Sequence, residues 1–389
     1  MSYPLVELGS IANFINGYAF KPTHWENGGK PIIRIQNLTD PSKPFNYTSL
    51  KIADKYLVEK GDLLVSWSAT LDVFEWDSED ALLNQHIFKI EPDFNKIDKN
   101  YLRYALKEAI ASMMKFTRGS TMKHVNRGDF LGTKIPLPPL AVQKQIAAVL
   151  EKADTLRSQC QQMEQELNAL AQSVFLDMFG DFRKMDKTNF LPLGDCADVC
   201  SGITKGQKFG DKPTVIVPYM RVANVQDGYL DLSEVKNIEA KVSDFDKYLL
   251  QAGDVLMTEG GDHDKLGRGA VWDGKIENCI HQNHVFRVRL HGHYLPKFFE
   301  YLLQSQYAKQ YFLKCAKKTT NLASINITQL KSLPMPPLSL SKQHDFVDFI
   351  ERLDKQKLHL QEMKDQFCDN FNSLMQRAFK GELKLKGVA

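Results

Sequence analysis

The sequence predicts an α+β chain: two mixed α/β domains separated by two long antiparallel coiled-coil helices, with an internal pseudo-twofold repeat. Three observations predict it. Two long apolar patterns run at heptad spacing, the same proline motif precedes each, and short β-rich runs recur in one order in both halves.

The first pattern occupies Leu140 to Val174. Apolar residues fall at Ile146, Val149, Ala153, Leu156, Cys160, Met163, Leu167, Leu170 and Val174. The steps alternate three and four, as on the a/d seam of a coiled coil. The stretch lacks Pro and Gly, and Glu164, Glu166 and Gln residues occupy the outer faces. A helix from Gln143 to Val174 is roughly 45 Å long. A core helix of one globule is the ordinary reading of such a pattern; length and strict spacing favour a spacer paired with another long helix. The partner begins after Ser341, with Phe346, Phe349, Leu353, Leu360, Met363, Phe367, Phe371, Leu374 and Ala378. Gln356 sits at one seam position, and the step from Phe367 to Phe371 reads as a stutter. Ile135-Pro-Leu-Pro-Pro-Leu140 and Leu333-Pro-Met-Pro-Pro-Leu338, 198 positions apart, force an extended entry from which each helix starts cleanly.

The globular parts repeat as well. Leu5-Val-Glu-Leu-Gly9 answers to Leu191-Pro-Leu-Gly194, and Pro31–Asn37 to Pro218–Asn224. Gly61-Asp-Leu-Leu-Val65 matches Gly253-Asp-Val-Leu-Met257, and Asn84–Ile90 matches Gln282–Val288. Strands are expected at Ile32–Ile35, Leu63–Val65 and Ile87–Ile90, with Gly61-Asp62 as a turn. Tyr101–Met114 reads as a helix, with Leu295–Leu313 as its counterpart. The organisation is a domain at 1–139, a spacer helix at 140–180, a domain at 181–338, and a spacer helix with a tail at 339–389. Gly180–Asn189 is the polar linker, and the repeat implies one globular domain at each end of a rod.

At 389 residues the chain has room for two or three cores. No apolar run approaches the roughly 18 residues of a membrane span, and the N-terminus is not a signal peptide. The dispersed cysteines suit a reducing cytoplasm. Cys196, Cys200, Cys279, His281 and His284 match no familiar zinc spacing. Net charge is only +3, and both globular parts are near balance: 17 basic and 16 acidic residues over 1–139, 19 and 17 over 186–338. Binding to nucleic acid would therefore rest on local patches.

In this arrangement the chain resembles the specificity subunit of a type I restriction–modification system, over nearly its full length. The marks are the two Pro-Pro-Leu motifs before long helices, Gly61–Thr70 with Leu83–Phe88, and Glu259–Gly269 with His281–Phe286. The resemblance implies a non-catalytic, cytoplasmic DNA reader. Target-recognition domains at 1–139 and 181–338 would each read half of a bipartite double-stranded target, and the helices would set the gap. It further implies two methylation subunits and, through the complex, restriction subunits. S-adenosylmethionine and ATP would then bind those partners rather than this chain.

Reading bases needs side chains that bond two edge atoms at once. The candidates are Arg34, Gln36, Asn37, Trp67, Ser68, Gln85 and His86 in the first half. In the second they are Arg221, Asn224, Asp262, His263, Lys265, Arg268, Gln282, Asn283 and His284. Residues common to domains with different targets are equally well explained as holding the fold, so both readings stand for Arg34, Asn37 and the histidines. Trp67–Asp77 and Glu259–Gly269 differ between halves and are the better specificity candidates. Phosphate contacts are expected from Lys115, Arg118, Ser120, Thr121, Lys123 and His124, and from Lys314, Lys317, Lys318, Thr319 and Asn321. A charge run is usually a solvated face; recurrence at the same place favours a clamp.

Catalytic signatures are missing. Both Pro-Pro pairs precede Leu rather than an aromatic residue, and there is no Walker or Gly-x-Gly-x-x-Gly motif. In its Gly-rich loop, Asp262-His263-Asp264 is better read as a polar contact than as an acid–base site. The competing reading is a two-headed coiled-coil scaffold that binds proteins and has no DNA specificity.

Overall fold

The computed structural model describes residues 3–40, 42–68, 70–116, 127–207, 209–319 and 322–385. The chain forms two compact units, residues 1–161 with 361–389, and residues 162–360. Each unit contains one globular body and half of each long helix.

The long helices are Leu140–Phe179 and Leu340–Phe379, 40 residues each, or about 60 Å. They lie 200 positions apart although the proline motifs lie 198 apart, because Leu338-Ser339 intervenes between prolines and helix in the second copy. At this offset the buried lines coincide. Ile146, Leu150, Ala153, Arg157, Cys160, Glu164, Leu167, Ala171, Val174 and Met178 are buried or half-buried, and so is every residue 200 positions later. The steps alternate four and three, so the heptad period holds. The seam membership does not hold in full. Val149, Leu156, Met163 and Leu170, expected on the seam, are 37–51% exposed. Arg157 and Glu164 stand on the buried line instead. Charged side chains are tolerated there because their stems cover apolar surface while their heads find partners. The Arg157 guanidinium lies 4.6 Å from the Phe371 ring centroid and 2.6 Å from Asp154. No stutter is needed either, since the second line runs through Lys364 between Leu360 and Phe367. Ile146, Leu167, Phe349, Leu353, Leu360, Met363, Phe367 and Leu374 keep a buried or half-buried place.

In the first unit, Ile146 and Leu150 share a core with Phe371, Met375 and Ala378. In the second, Ala171, Phe175 and Phe179 share one with Phe346, Ile350 and Leu353. The start of one helix therefore packs with the end of the other in each unit, which makes the pair antiparallel.

Each globular body carries a four-stranded antiparallel sheet of the same order. In the first unit it is Ala12–Asn16, Ile87–Pro92, Leu63–Ser66, Asp72–Glu75. In the second it is Ala197–Ser201, Val285–Leu290, Val255–Thr258, Gly269–Val271. A smaller sheet adjoins each, built on a parallel pair: Lys30–Ile33 with Ala81–Leu83, and Thr214–Met220 with Ile280–His281. The strand expected to reach Ile35 stops at Ile33. Asn37 Oδ1 accepts the Arg34 N–H at 3.1 Å and caps the short helix Ile35–Thr39. Gly61 has φ +94°, as the expected turn requires. The expected helix Tyr101–Met114 is Lys99–Phe116. Its counterpart is broken into Pro296–Gln304 and Gln306–Cys315, because Ser305 is extended, donates to Leu302 O and accepts from Ala308 N. Among the described residues no helix is long and apolar enough to cross a membrane.

One buried glutamine joins body to helix in each unit. Gln143 Oε1 accepts the Asp98 N–H at 2.8 Å, and its Nε2 donates to Lys96 O and Pro138 O. Gln343 repeats this with Leu295 N, His293 O and Leu338 O. Both are fully buried. Sequence reading passed over them, although Leu140-Ala-Val-Gln143 and Leu340-Ser-Lys-Gln343 start the two helices alike. Gln143→Ala leaves a donor and two acceptors unmatched inside the protein, and should cost about 2–4 kcal/mol in a urea unfolding experiment; a loss below about 0.5 kcal/mol refutes the joint.

Candidate nucleic-acid interface

The first unit is organised by the turn Asn84-Gln85-His86, between Ala81–Leu83 and Ile87–Pro92. Gly17 lies so close that an added Cβ would stand 2.0 Å from Asn84 O. Only glycine lets the strands meet there. The adjacent Tyr18 N–H donates to Leu83 O at 2.8 Å, and Gln85 N–H donates to Tyr18 O at 2.9 Å. His86 takes φ +75°, a left-handed conformation uncommon for a side-chain-bearing residue. Its carbonyl accepts the Trp67 N–H at 3.2 Å, and the two rings lie 5.1 Å apart. Trp67 stacks on Phe88 at 5.8 Å. Trp67 Nε1, His86 Nδ1 and Asn84 Oδ1 are all buried without a hydrogen-bond partner. Such groups are rare in a folded protein and costly when left unmatched.

Arg34 leaves the parallel strand pair beside Asn84, whose N–H donates to Ile33 O. Its Nη1 donates to Asn46 Oδ1 at 3.1 Å, and its guanidinium lies over Trp25. Asn37 is buried and donates to Lys43 O and Pro44 O. Gln36, Ser68 and Gln85 are half-buried.

The second unit repeats the turn as Gln282-Asn283-His284 and fills it differently. Gly202 plays the part of Gly17, with an added Cβ 1.9 Å from His281 O. Ile203 N–H donates to His281 O, and Asn283 N–H to Ile203 O. Glu259 donates its N–H to His284 O, as Trp67 does to His86 O. Here the partner is a carboxyl group: His284 Nδ1 lies 2.5 Å from Glu259 Oε2. The following Gly260–Gly261 pairs with Ala323–Ser324, which pairs with Lys317–Lys318. One small sheet therefore carries the 262–268 loop and the exposed lysine pair. In the loop, the Lys265 ammonium holds the Asp262 carboxyl below its usual range. Arg268 Nη1 donates to Gln226 Oε1 at 2.9 Å, and its Nε is buried without a partner. Arg221 binds Glu234 O and Oε2, both at 3.0 Å. Asn224 is buried between Arg221 N, Asp231 O and Glu234 O.

The type I restriction modification DNA specificity domain is matched twice, over residues 3–170 and 185–366. The chain belongs to this family. It is similar to the type I restriction enzyme EcoBI specificity subunit of Escherichia coli, 26% identical across 98% of this chain and 86% of that protein. The MjaVIII specificity subunit of Methanocaldococcus jannaschii is 24% identical across 99% and 94%. In fold, the chain is similar to a type I restriction–modification chain solved in a study of complex assembly (TM-score 0.57, 15% identity, 98% of each chain covered). It is also similar to the S subunit from M. genitalium (TM-score 0.51, 13% identity, 97% and 96% covered). As a type I specificity subunit, it serves DNA sequence recognition.

Within this specificity chain the expected site residues separate by environment. The side chains of Asn37 and Asn224 are committed to the fold, each capping the turn behind an arginine. Trp67, Gln85, His86, Asp262, His263, Lys265, Arg268, Gln282, Asn283 and His284 cluster at or beside the two turns. Arg118, Ser120, Thr121, Lys123, His124 and Asn321 lie outside the described residues, as does the side chain of Lys115. Lys314 is exposed, and Thr319 exchanges hydrogen bonds with Leu322. Glu259, Gly17 and Gly202 were missed as individuals, although Asn16-Gly17 and Ser201-Gly202 each end a strand and were legible as one more duplicated pair.

Among the described residues no group of three or more His, Cys, Asp or Glu side chains is arranged to hold a metal. Cys200 Sγ and His281 Nε2 do meet, at 3.8 Å, in the interior. His281 is fully buried and its Nδ1 contacts Val285 O at 2.7 Å. Burial holds its pKa down at about 4, from 6.5. The unfolded chain therefore binds a proton below about pH 6.5 that the folded chain refuses until about pH 4. Unfolding free energy should fall by about 1.4 kcal/mol per pH unit in that window from this group. His281→Asn should flatten that part of the pH profile; an unchanged slope refutes the assignment.

Proposed function

We propose that this chain is the non-catalytic reader of a type I complex, with each unit recognising one half of a bipartite duplex target. One observation carries the reading: the turn, its glycine clamp, the buried glutamine and a heptad line all occur twice, while the chemistry at the turn differs. Duplicated scaffolding with unlike contacts suits two different half-sites. In the first half-site, Trp67, Gln85 and His86 read bases at the turn. In the second, the 262–268 loop and His284 do so, with Lys317 and Lys318 on phosphates.

In this reading the long helices set the gap and dock the methylation subunits. Val149, Leu156, Met163 and Leu170 recur every seven residues on the outside of the first helix and provide an apolar face for that partner. S-adenosylmethionine and ATP belong to the methylation and restriction subunits.

Inserting one heptad into each long helix adds about 10 Å. Mapping methylated adenines in DNA exposed to the reconstituted complex should then show both half-sites unchanged and a gap longer by about three base pairs. An unchanged gap, or altered half-sites, refutes the ruler. Replacing Lys317 and Lys318 by Ala should lower the salt slope of binding by about 0.9 per lost phosphate contact, leaving the target sequence the same.

A further inference from the structure

The loop that follows Gly17 holds a group of aromatic rings that no other feature of the first unit explains. Tyr18 lies 4.9 Å from Phe20, 5.6 Å from Tyr56 and 6.2 Å from His24, mostly edge to face. All are half-buried, and none belongs to the apolar cores of this unit. The loop is built rigidly. Phe20 N–H donates to Tyr18 O, and His24 N–H to Lys21 O. His24 Nδ1 accepts the Lys21 N–H, and Pro22 starts a short 3-10 turn. Lys55 adds a positive charge 5.0 Å from the Tyr56 ring centroid. Through Tyr18 the backbone is bonded to Gln85, so the rings are continuous with the turn described above.

The second unit fastens the corresponding loop to its own turn through Ile203, yet carries fewer rings. Lys205 and Lys212 are exposed there, and Phe209 is the one aromatic residue of the segment 204–212.

We propose that Tyr18, Phe20 and Tyr56 form a preorganised apolar platform that packs on the sugar faces of duplex DNA beside Gln85. The proposal rests on the DNA-reading role argued above and goes beyond it by naming a contact that adds affinity without neutralising phosphate. Rings already locked in place lose little freedom on binding, and an apolar contact releases no counter-ions.

The test is fluorescence anisotropy with the full chain and its methylation subunits, on a duplex carrying the target mapped by adenine methylation, across a range of salt concentrations. Phe20→Ala and Tyr56→Ala should each raise Kd by about tenfold, with the slope of log Kd against log salt unchanged. Kd within about twofold of wild type in both variants, at unchanged melting temperature, overturns the platform and leaves DNA recognition standing. A reduced slope overturns its apolar character. Where an alanine variant melts early, Phe20→Leu decides: weakening of about threefold or more supports the contact, and wild-type affinity overturns it. A wild-type complex that prefers no duplex overturns the recognition role and the platform together.

Discussion

The structure depends on the pairing of two 40-residue helices along a line repeating every three and a half residues. The helices are related by an offset of 200, so every position on one line has its equivalent on the other. Apolar residues dominate near the helix ends, where each unit packs its body, and charges enter toward the middle. Arg157 and Lys357 are equivalent, as are Asp154 and Asp354. Asp154 meets Lys107 and Arg157, and Asp354 meets Lys297 and Lys357. An ion pair and a buried glutamine thus fasten each body to its helices. Directional bonds at the joint fix an orientation that apolar packing alone leaves loose.

On these joints the two units hold one turn in two chemical settings. Glycine on the neighbouring strand admits the turn, and backbone bonds from the first loop close it. What differs is the residue whose N–H meets the histidine carbonyl, tryptophan in one unit and glutamate in the other. The first setting leaves polar atoms buried and unmatched; the second closes an imidazole–carboxyl contact within the protein. A shared backbone frame with exchangeable side chains lets one fold present two different chemistries, because the frame is stabilised by bonds that do not depend on those side chains.

The sequence alone determined the repeat, the order of its parts and the antiparallel helix pair. These follow from periodicity, from proline and from matched short runs, which are local properties visible along a chain. It did not determine which face of the first helix is covered. The lines through Leu150, Arg157, Glu164 and Ala171, and through Val149, Leu156, Met163 and Leu170, have the same period and lie one residue apart. Apolar content favours the second line, but the packed bodies cover the first, where the charges find aromatic and ionic partners. Tertiary structure alone also separated the asparagines that cap turns from the polar atoms left buried and unmatched beside them. Whether a polar atom is committed or available depends on neighbours far away in sequence, and no local pattern records them.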